Sequence, residues 1–556
     1  MKRIIMSVLV TFIATQIELA LGQPMQGDNL FEGQHAPLFE GMGVHNFEIS
    51  SEDELVNIYF NQAIALTYGF NHLEAGRSYE QVALIDSNLA LAYWGQALVL
   101  GPNINAAMES GVVKKAYKAI QKAKSLEKYA SQKERDLIDA LAHRYSEDET
   151  LSDRQELDTA YADAMRKLVK KYPNDPNIRT FLAEALMVIH AWDLWNSDGR
   201  PKEWTPEIVE VLETGLQEYP KHTGLIHYYI HAVEASKTPG RALEYAKTME
   251  DLVPGSGHLV HMPSHIYIRT GYYQEGVEAN ERAILVDNNY VTQCRQQGLY
   301  PLAYIPHNRH FLWAMATLQG NSTKAIMAAE HMANHIDEDN MRIPGLGTLQ
   351  HYWATPIYAY VRFGKWEKII ASPKPAEDLV YPVGIWHYAR GVAFTAQGKL
   401  KDARNELKAL NKVLKDERLE GVTVWEINTA IDVLTIASLT LEGEIEGKAK
   451  NYSKSISILE AAAALEDKLN YNEPSDWHYP VRHTLGAVLL QARKFAEAEK
   501  VYQEDLETFP ENGWSLYGLY QSYVKQSKMK QAEATKLRFE EAWKWADIDL
   551  EESRVL

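Results

Sequence analysis

Cysteine is nearly absent from this sequence, since Cys294 is the only one in 556 residues. A chain with a single cysteine has no internal disulfide, so side-chain packing alone must hold the fold. The only basic residue next to Cys294 is Arg295, which is a weak basis for an activated thiolate. We therefore do not predict a cysteine nucleophile.

Runs of lysine and arginine are also missing, and the formal net charge is −18 at pH 7. An acidic chain without a basic run is a poor candidate for binding nucleic acid or an anionic membrane surface, and we predict neither partner. The sequence has no Gly-rich phosphate loop, no G-x-S-x-G elbow and no H-E-x-x-H motif. We assign no catalytic residue and leave open whether the chain is an enzyme.

Long apolar runs are confined to the first residues of the chain. Lys2 and Arg3 precede an apolar stretch from Ile4 to Ala14, and Ala20-Leu21-Gly22 has the small-x-small pattern of a cleavage site. We predict that residues 1–22 are a signal peptide and that the rest is exported, to a periplasm or beyond. An uncleaved N-terminal anchor is the alternative. No other segment is apolar enough to span a bilayer.

Histidine, by contrast, is present in a regular pattern. Two histidines and one proline recur at one shared offset: His227/His261, His231/His265 and Pro220/Pro254. This offset equals the period of the helix-turn-helix tetratricopeptide repeat (TPR), which is about 34 residues. No segment of useful length alternates apolar and polar residues as a half-buried strand does. We predict an all-α TPR-type helical-hairpin solenoid, wound as a right-handed superhelix.

The repeat pattern also predicts how the chain is divided and packed. Residues 23–50 are expected to form an extended N-terminal arm on the first repeat. Residues 51–346 form the N-terminal and central repeats with a His-rich groove, and residues 347–556 form the C-terminal repeats. Small residues such as Gly486 are expected where paired helices approach closely, with large ones such as Tyr502 beside them.

Several strings match more than the general repeat consensus. They are YFNQAIALTYGFNHLEA, AYWGQALVLGPNIN, HYYIHAVEAS, GHLVHMPSHIYIRTGYY and YPLAYIPHNRHFLWA. Over most of its length the chain resembles a family of exported bacterial TPR proteins, most of them without an assigned activity. Such proteins are similar to accessory members of polysaccharide-utilisation gene clusters. The resemblance implies the fold and leaves the function open.

The histidines define the candidate ligand site. In a stacked array the first helix of each hairpin lines the concave groove, and residues three or four apart share a helix face. The predicted ligand-binding residues are His227, His231, Glu234, His258, His261, His265, His307 and His310. Paired histidines at i, i+4 can chelate a divalent ion. The candidate metal ligands are His227, His231, His261 and His265, with Zn, Cu or Fe as the ion.

Two interpretations of this groove stay open. The first is a scaffold that binds a protein segment or a glycan, with histidines that hydrogen-bond to carboxylates or sugar hydroxyls. The alternative is a metal-dependent enzyme or metal-binding protein. Pro263 and Pro306 fit only in a first helical turn, so His258 and His307 could instead lie in capping loops. Cys294, on an insert before Ile305, could reach the same patch.

Three tryptophans lie close together in a long connection: Trp192, Trp195 and Trp204. Indole rings can stack on a sugar ring. Packing of the connection against the core is the alternative, and it is the commoner role of such residues.

Overall fold

The computed structural model describes residues 36–148, 150–151, 153–294 and 304–556. Nearly all the regular structure in these ranges is α-helix, and the only strands there are β1 (Thr423–Val424) and β2 (Asn428–Thr429), which pair antiparallel. The predicted all-α fold of TPR-type hairpins is therefore confirmed. The predicted signal peptide lies outside the described residues, and the export of the chain stays a prediction.

The chain divides into two compact units, and each is described by itself. Unit 1 comprises Met1–Ile266 and Arg282–Ile305, and unit 2 comprises Tyr267–Glu281 and Pro306–Leu556. The boundaries thus fall inside two helices and at the start of a third. The division predicted after residue 346 concerned repeat arrays rather than compact units, and it stays a prediction.

The described part of unit 1 begins with residues 36–50, which contain no helix or strand. Along this segment Phe39 N donates to Gln62 Oε1 (2.8 Å), and Phe47 N donates to Asn61 Oδ1 (3.2 Å). Both acceptors lie on the first helix. The helices of unit 1 are α1 (Glu54–Tyr68), α2 (His72–Ile85), α3 (Ala90–Leu100), α4 (Val113–Ser125), α5 (Gln132–Ala142), α6 (Gln155–Lys171), α7 (Pro176–Ile189), α8 (Thr205–Glu218), α9 (Thr223–Val233), α10 (Leu243–Met249) and α11 (Gly257–His261).

Two helices carry the chain across the unit boundaries, and the remainder belong to unit 2. The crossing helices are α12 (Pro263–Thr270) and α13 (Tyr273–Cys294). Those that follow are α14 (Ile305–Leu318), α15 (Ser322–Ala333), α16 (Gly347–Arg362), α17 (Trp366–Ala371), α18 (Val380–Ala396), α19 (Leu400–Val413), α20 (Ala430–Lys448), α21 (Tyr452–Glu466), α22 (Val481–Gln491), α23 (Phe495–Thr508), α24 (Gly513–Lys525) and α25 (Met529–Ala542). Residues 295–303 of the predicted insert lie outside the described ranges.

Local sequence sets where these helices start. The carboxylate of Asp53 accepts hydrogen bonds from Leu55 N and Val56 N and so caps α1. Asp175 caps α7 in the same way, and Pro176 occupies its first position, where the missing N–H costs nothing. None of the described helices is long and apolar enough to cross a membrane.

Neighbouring helices pack closely where a glycine on one helix faces a large side chain on the next, as the sequence led us to expect. A Cβ atom on Gly486 of α22 or on Gly518 of α24 would lie 2.3 or 2.2 Å from the ring of Tyr502 on α23. A Cβ atom on Gly95 of α3 would likewise lie 2.3 Å from the ring of Tyr79 on α2. The glycines therefore allow the aromatic ring to fill the space between neighbouring helices.

Candidate metal centre

Helix α9 contributes the first pair of histidines. It begins after His222, whose ring accepts a hydrogen bond from Leu225 N, and every residue from Thr223 to Val233 is buried. His227 and His231 are one helical turn apart, so they share a face. Glu234 follows the last helical residue and stays in helical conformation, with φ −57° and ψ −40°. Two turns of backbone thus bring two imidazoles and a carboxylate together.

Helices α11 and α12 contribute the other three histidines of unit 1 that the sequence singled out for the site. The five-residue α11 holds His258 and His261, and Pro263 opens α12, which carries His265. Proline has no N–H to donate and is accepted only at a helix start, which explains the break at Met262. His258 lies in α11 and His307 lies in α14, so the expectation that these two residues lie in capping loops is wrong.

All six predicted residues of unit 1 are buried rather than exposed in an open groove. His227 and His261 are 0% exposed, Glu234 and His258 1%, His265 3% and His231 5%. The prediction of groove-lining side chains is therefore corrected for these residues, because the folded chain covers all six. A buried imidazole needs a hydrogen-bond partner or a metal ion.

Glu234 binds two of the imidazoles. Its Oε1 lies 2.7 Å from Nδ1 of His231, and its Oε2 lies 2.6 Å from Nδ1 of His265. Burial alone would raise the pKa of Glu234, but the contacts with His265 and His231 outweigh it, and the pKa is lowered. An ionised carboxylate can only accept, so both Nδ1 atoms carry the proton.

His227 is held by a main-chain carbonyl. Its Nδ1 lies 2.5 Å from the carbonyl oxygen of Tyr68, so Nδ1–H must be the donor. Burial and the neighbouring His231 place the pKa of His227 well below its usual value, and burial also lowers the pKa of His231. Both rings are therefore neutral near pH 7, and neutral imidazole is the form that binds metal ions.

The nitrogens of three rings come together at distances that suit one ion. One ligand atom each of His227, His231 and His258 lies within 4.8 Å of the other two. His227 Nε2 and His258 Nε2 are 3.2 Å apart, and His231 Nε2 has no hydrogen-bond partner among the described residues. With Zn–N distances of about 2.0–2.1 Å, two nitrogens on a tetrahedral ion lie roughly 3.3 Å apart. Small shifts of these three side chains would bring all three nitrogens within bonding distance of one ion.

An aromatic shell encloses these imidazoles. The ring centroid of Phe70 lies 4.5 Å from that of His227 and 5.4 Å from that of His258. Phe70 has φ of +56°, in a region that costs a side chain about 1–3 kcal/mol. Trp192, at φ +57°, sets its ring edge-on against His231 at 5.4 Å and is 42% exposed. These rings keep water away from the ligands, which favours metal coordination.

The sequence pattern did not reveal this shell. Tyr68 ends α1 and Phe70 follows it, far before the histidines in the sequence, and no offset connects them. Of the three tryptophans, Trp195 Nε1 donates to Ala232 O (2.8 Å), and Trp204 stacks on His190 at 3.8 Å. Both of these contacts pack the connection between α7 and α8.

His307 and His310 belong to unit 2. His307 is partly exposed, and its ring centroid lies 5.8 Å from that of Trp425. His310 is 2% exposed, stacks on Trp313 at 5.0 Å and meets His351 edge-on at 5.3 Å. Burial and then the charge of His351 place the pKa of His310 well below its usual value. A shared ligand site for all eight predicted residues stays a prediction. The side chain of Cys294 lies outside the described residues.

Comparison with known proteins adds only distant structural likenesses. The chain matches no protein-family model and no curated protein. It is similar to the human IFIT1 dimer with m7Gppp-AAAA (TM-score 0.31, 12% identity, 88% of this chain and 91% of that one). It is also similar to yeast Tom70 (0.26, 11%, 87% and 89%) and to the P58(IPK) TPR domain (0.21, 12%, 86% and 99%). At these TM-scores and identities the likenesses carry no argument about what this chain binds.

Proposed function

We propose that this chain is a helical-repeat protein that binds a divalent transition-metal ion through His227, His231 and His258. The observation that carries the proposal is the fixed orientation of two of these rings. The Tyr68 carbonyl and the Glu234 carboxylate hold the Nδ1 protons of His227 and His231. A carboxylate or carbonyl behind a ligating histidine fixes its tautomer and raises its basicity.

The donor set indicates the class of ion. Imidazole suits Zn, Cu, Fe and Ni, and a three-histidine set with one open position is typical of catalytic rather than structural zinc. We therefore propose Zn²⁺ as the reference ion. The fourth position would be open to water or to a ligand, so the same site supports either a carrier or an enzyme.

Metal titration of the purified chain tests the proposal. After removal of metal by a chelator, the wild type should take up Zn²⁺ in calorimetry at pH 7.5. A His227→Ala/His231→Ala variant should lose that uptake at this position, because two of three ligands are gone. His222→Asn is the matched control, since it changes a histidine at the start of the same helix while asparagine still caps α9.

Two results would contradict the proposal. One is a wild-type chain that takes up no Zn²⁺, Cu²⁺ or Fe²⁺. The other is a folded double variant that binds zinc with the stoichiometry and affinity of the wild type. Circular dichroism and thermal melting of each variant separate loss of ligand from loss of fold.

A repeat scaffold that binds a protein segment or a glycan is the second candidate. A surface cleft beside α8 favours it, because Trp195 lines this cleft together with Glu213 and Arg241, which form an ion pair. Aromatic faces beside polar groups suit a sugar ring. The link to polysaccharide utilisation depends on the sequence resemblance alone. If the wild type takes up no metal, binding of oligosaccharides or peptides becomes the measurement.

A further inference from the structure

A second pair of imidazole nitrogens in unit 1 lies outside the three-histidine set. His261 Nε2 and His265 Nε2 are 2.9 Å apart, and their ring planes cross at 76°. Two neutral imidazoles can make such a contact only if one nitrogen is protonated and the other is not. Which of them carries the proton follows from what holds the two Nδ1 atoms.

Both Nδ1 atoms are already donors. Nδ1 of His265 donates to Glu234 Oε2, as described above. Nδ1 of His261 lies 3.1 Å from Ser264 Oγ, and that hydroxyl lies 2.6 Å from the carbonyl oxygen of His261. A carbonyl cannot donate, so the single hydroxyl proton goes to it, and Oγ must accept from Nδ1. In their neutral forms, both rings therefore present an unprotonated Nε2 to the other.

Two lone pairs at 2.9 Å repel unless a cation lies between them. We infer that His261 and His265 hold a second divalent metal ion, next to the ion proposed for His227, His231 and His258. The inference rests on the proposed function, because it extends the same site. Two imidazole nitrogens on a tetrahedral zinc ion lie roughly 3.3 Å apart, so the rings need to open by only a few tenths of an ångström.

Glu234 would connect the two ions. One of its oxygens orients His231, a ligand of the first ion, and the other orients His265, a ligand of the second. The ring centroids of His231 and His265 are 5.3 Å apart, so the two ions would lie close to each other. Pairs of metal ions about 3.5–4 Å apart are the arrangement that stabilises both the attacking and the leaving oxygen in hydrolytic enzymes.

Metal content and electron paramagnetic resonance of the full chain test the inference. Loaded with Cu²⁺, the wild type should hold two ions per chain, and their resonance should show magnetic coupling between neighbouring ions. His261→Ala should hold one ion, with an uncoupled signal. His227→Ala/His231→Ala should lose the first ion, and the His222→Asn control should hold two coupled ions.

The outcomes separate this inference from the proposed function. One ion in the wild type, unchanged in His261→Ala, overturns the second ion and leaves the first in place; a proton shared by His261 and His265 would give that result. No ion in the wild type overturns both. If His261→Ala does not fold, His261→Gln keeps the length of the side chain and replaces the ring, and the same loss of one ion and of coupling is expected.

Discussion

At the scale of single residues, Glu234 has the largest influence on the candidate metal centre. It is 1% exposed, and each of its two oxygens accepts from one imidazole. A buried charge is tolerated only when it is paired and hydrogen-bonded. Two imidazole N–H groups donate to this carboxylate, and a metal ion bound to each imidazole would add positive charge beside it. The carboxylate and the proposed ions would therefore stabilise each other.

Glu234→Gln tests this dependence. The amide offers one acceptor and one donor, so one of the two imidazoles must change its tautomer or turn its unprotonated nitrogen away. We expect zinc affinity to fall by about 10- to 100-fold, the usual effect of removing such a partner, as measured by competition with a chelator.

The control for this variant is Glu213→Gln. It removes the same charge from the neighbouring α8, where Glu213 accepts from Tyr229 Oη. Its zinc affinity should match that of the wild type. Equal affinity of wild type and Glu234→Gln would show that Glu234 does not orient metal ligands.

At the scale of elements, the repeat depends on close contact between a glycine and a large side chain. Tyr502 is 0% exposed and lies between Gly486 and Gly518 of the flanking helices. Gly518→Ala places a methyl group where the tyrosine ring is, and overpacking of this kind typically costs about 1–3 kcal/mol. Thermal and urea unfolding should show the loss.

Gly76→Ala is the matched control for this variant. Gly76 also lies inside a helix, but an added Cβ would meet only Val99 Cγ2 at 3.4 Å, an ordinary contact. Alanine is favoured over glycine in a helix by roughly 0.5–1 kcal/mol, so this variant should be as stable as the wild type or more so. A Gly518→Ala protein as stable as Gly76→Ala would contradict the packing argument.

The shared offset of the two histidine pairs predicts much of the element-level arrangement. It places His227 and His231 on one helix and His261 and His265 on the next repeat, and the structure brings the four together. The offset describes only the repeated positions in the sequence, so it could not predict that these histidines are buried. Part of the cover of His227 and His231 comes from Phe70 and Trp192, which lie in irregular segments with left-handed backbone.

Sequence spacing also failed to show which structural unit each histidine joins. His307 and His310 follow His258 and His261 at one constant offset, yet they belong to unit 2. A sequence offset says nothing about where compact units divide when the boundaries fall inside helices. The tautomer argument for His261 and His265 depends on the contacts with Ser264 and Glu234, which only the folded chain shows.

At the scale of the whole molecule, buried neutral histidines make stability depend on pH. Burial lowers the pKa of many histidines among the described residues: His45, His72, His222, His227, His231, His310, His351, His478 and His483. Four carboxyls among the described residues act in the opposite sense, because burial raises the pKa of Glu184, Glu466, Asp476 and Glu552, to about 8 for Glu466. Burial raises the pKa of Asp476 to about 7, so its contribution to stability falls as the pH rises toward that value. The histidines are more numerous, so they decide the sign.

The sign of the effect follows from proton counts. Below the ordinary histidine pKa of about 6.5, the unfolded chain binds protons that the folded chain refuses. Stability is therefore highest above that pH and falls as the pH drops toward the folded pKa, which is about 4 for His351. Each such histidine contributes about 1.4 kcal/mol per pH unit within this window.

We expect the melting temperature of the metal-free chain to fall steeply between pH 7.5 and pH 5, measured by circular dichroism. His351→Gln should reduce this slope by the contribution of one proton, because glutamine does not titrate and can still hydrogen-bond to Tyr381 Oη, which His351 contacts at 2.7 Å. A melting temperature that stays constant or rises on acidification would show that the histidines are not held neutral. A slope unchanged in His351→Gln would remove this residue from the explanation.

Zinc added to the wild type should raise the melting temperature more at pH 7.5 than at pH 5, because ligand binding stabilises the folded chain and protons compete for the same imidazoles.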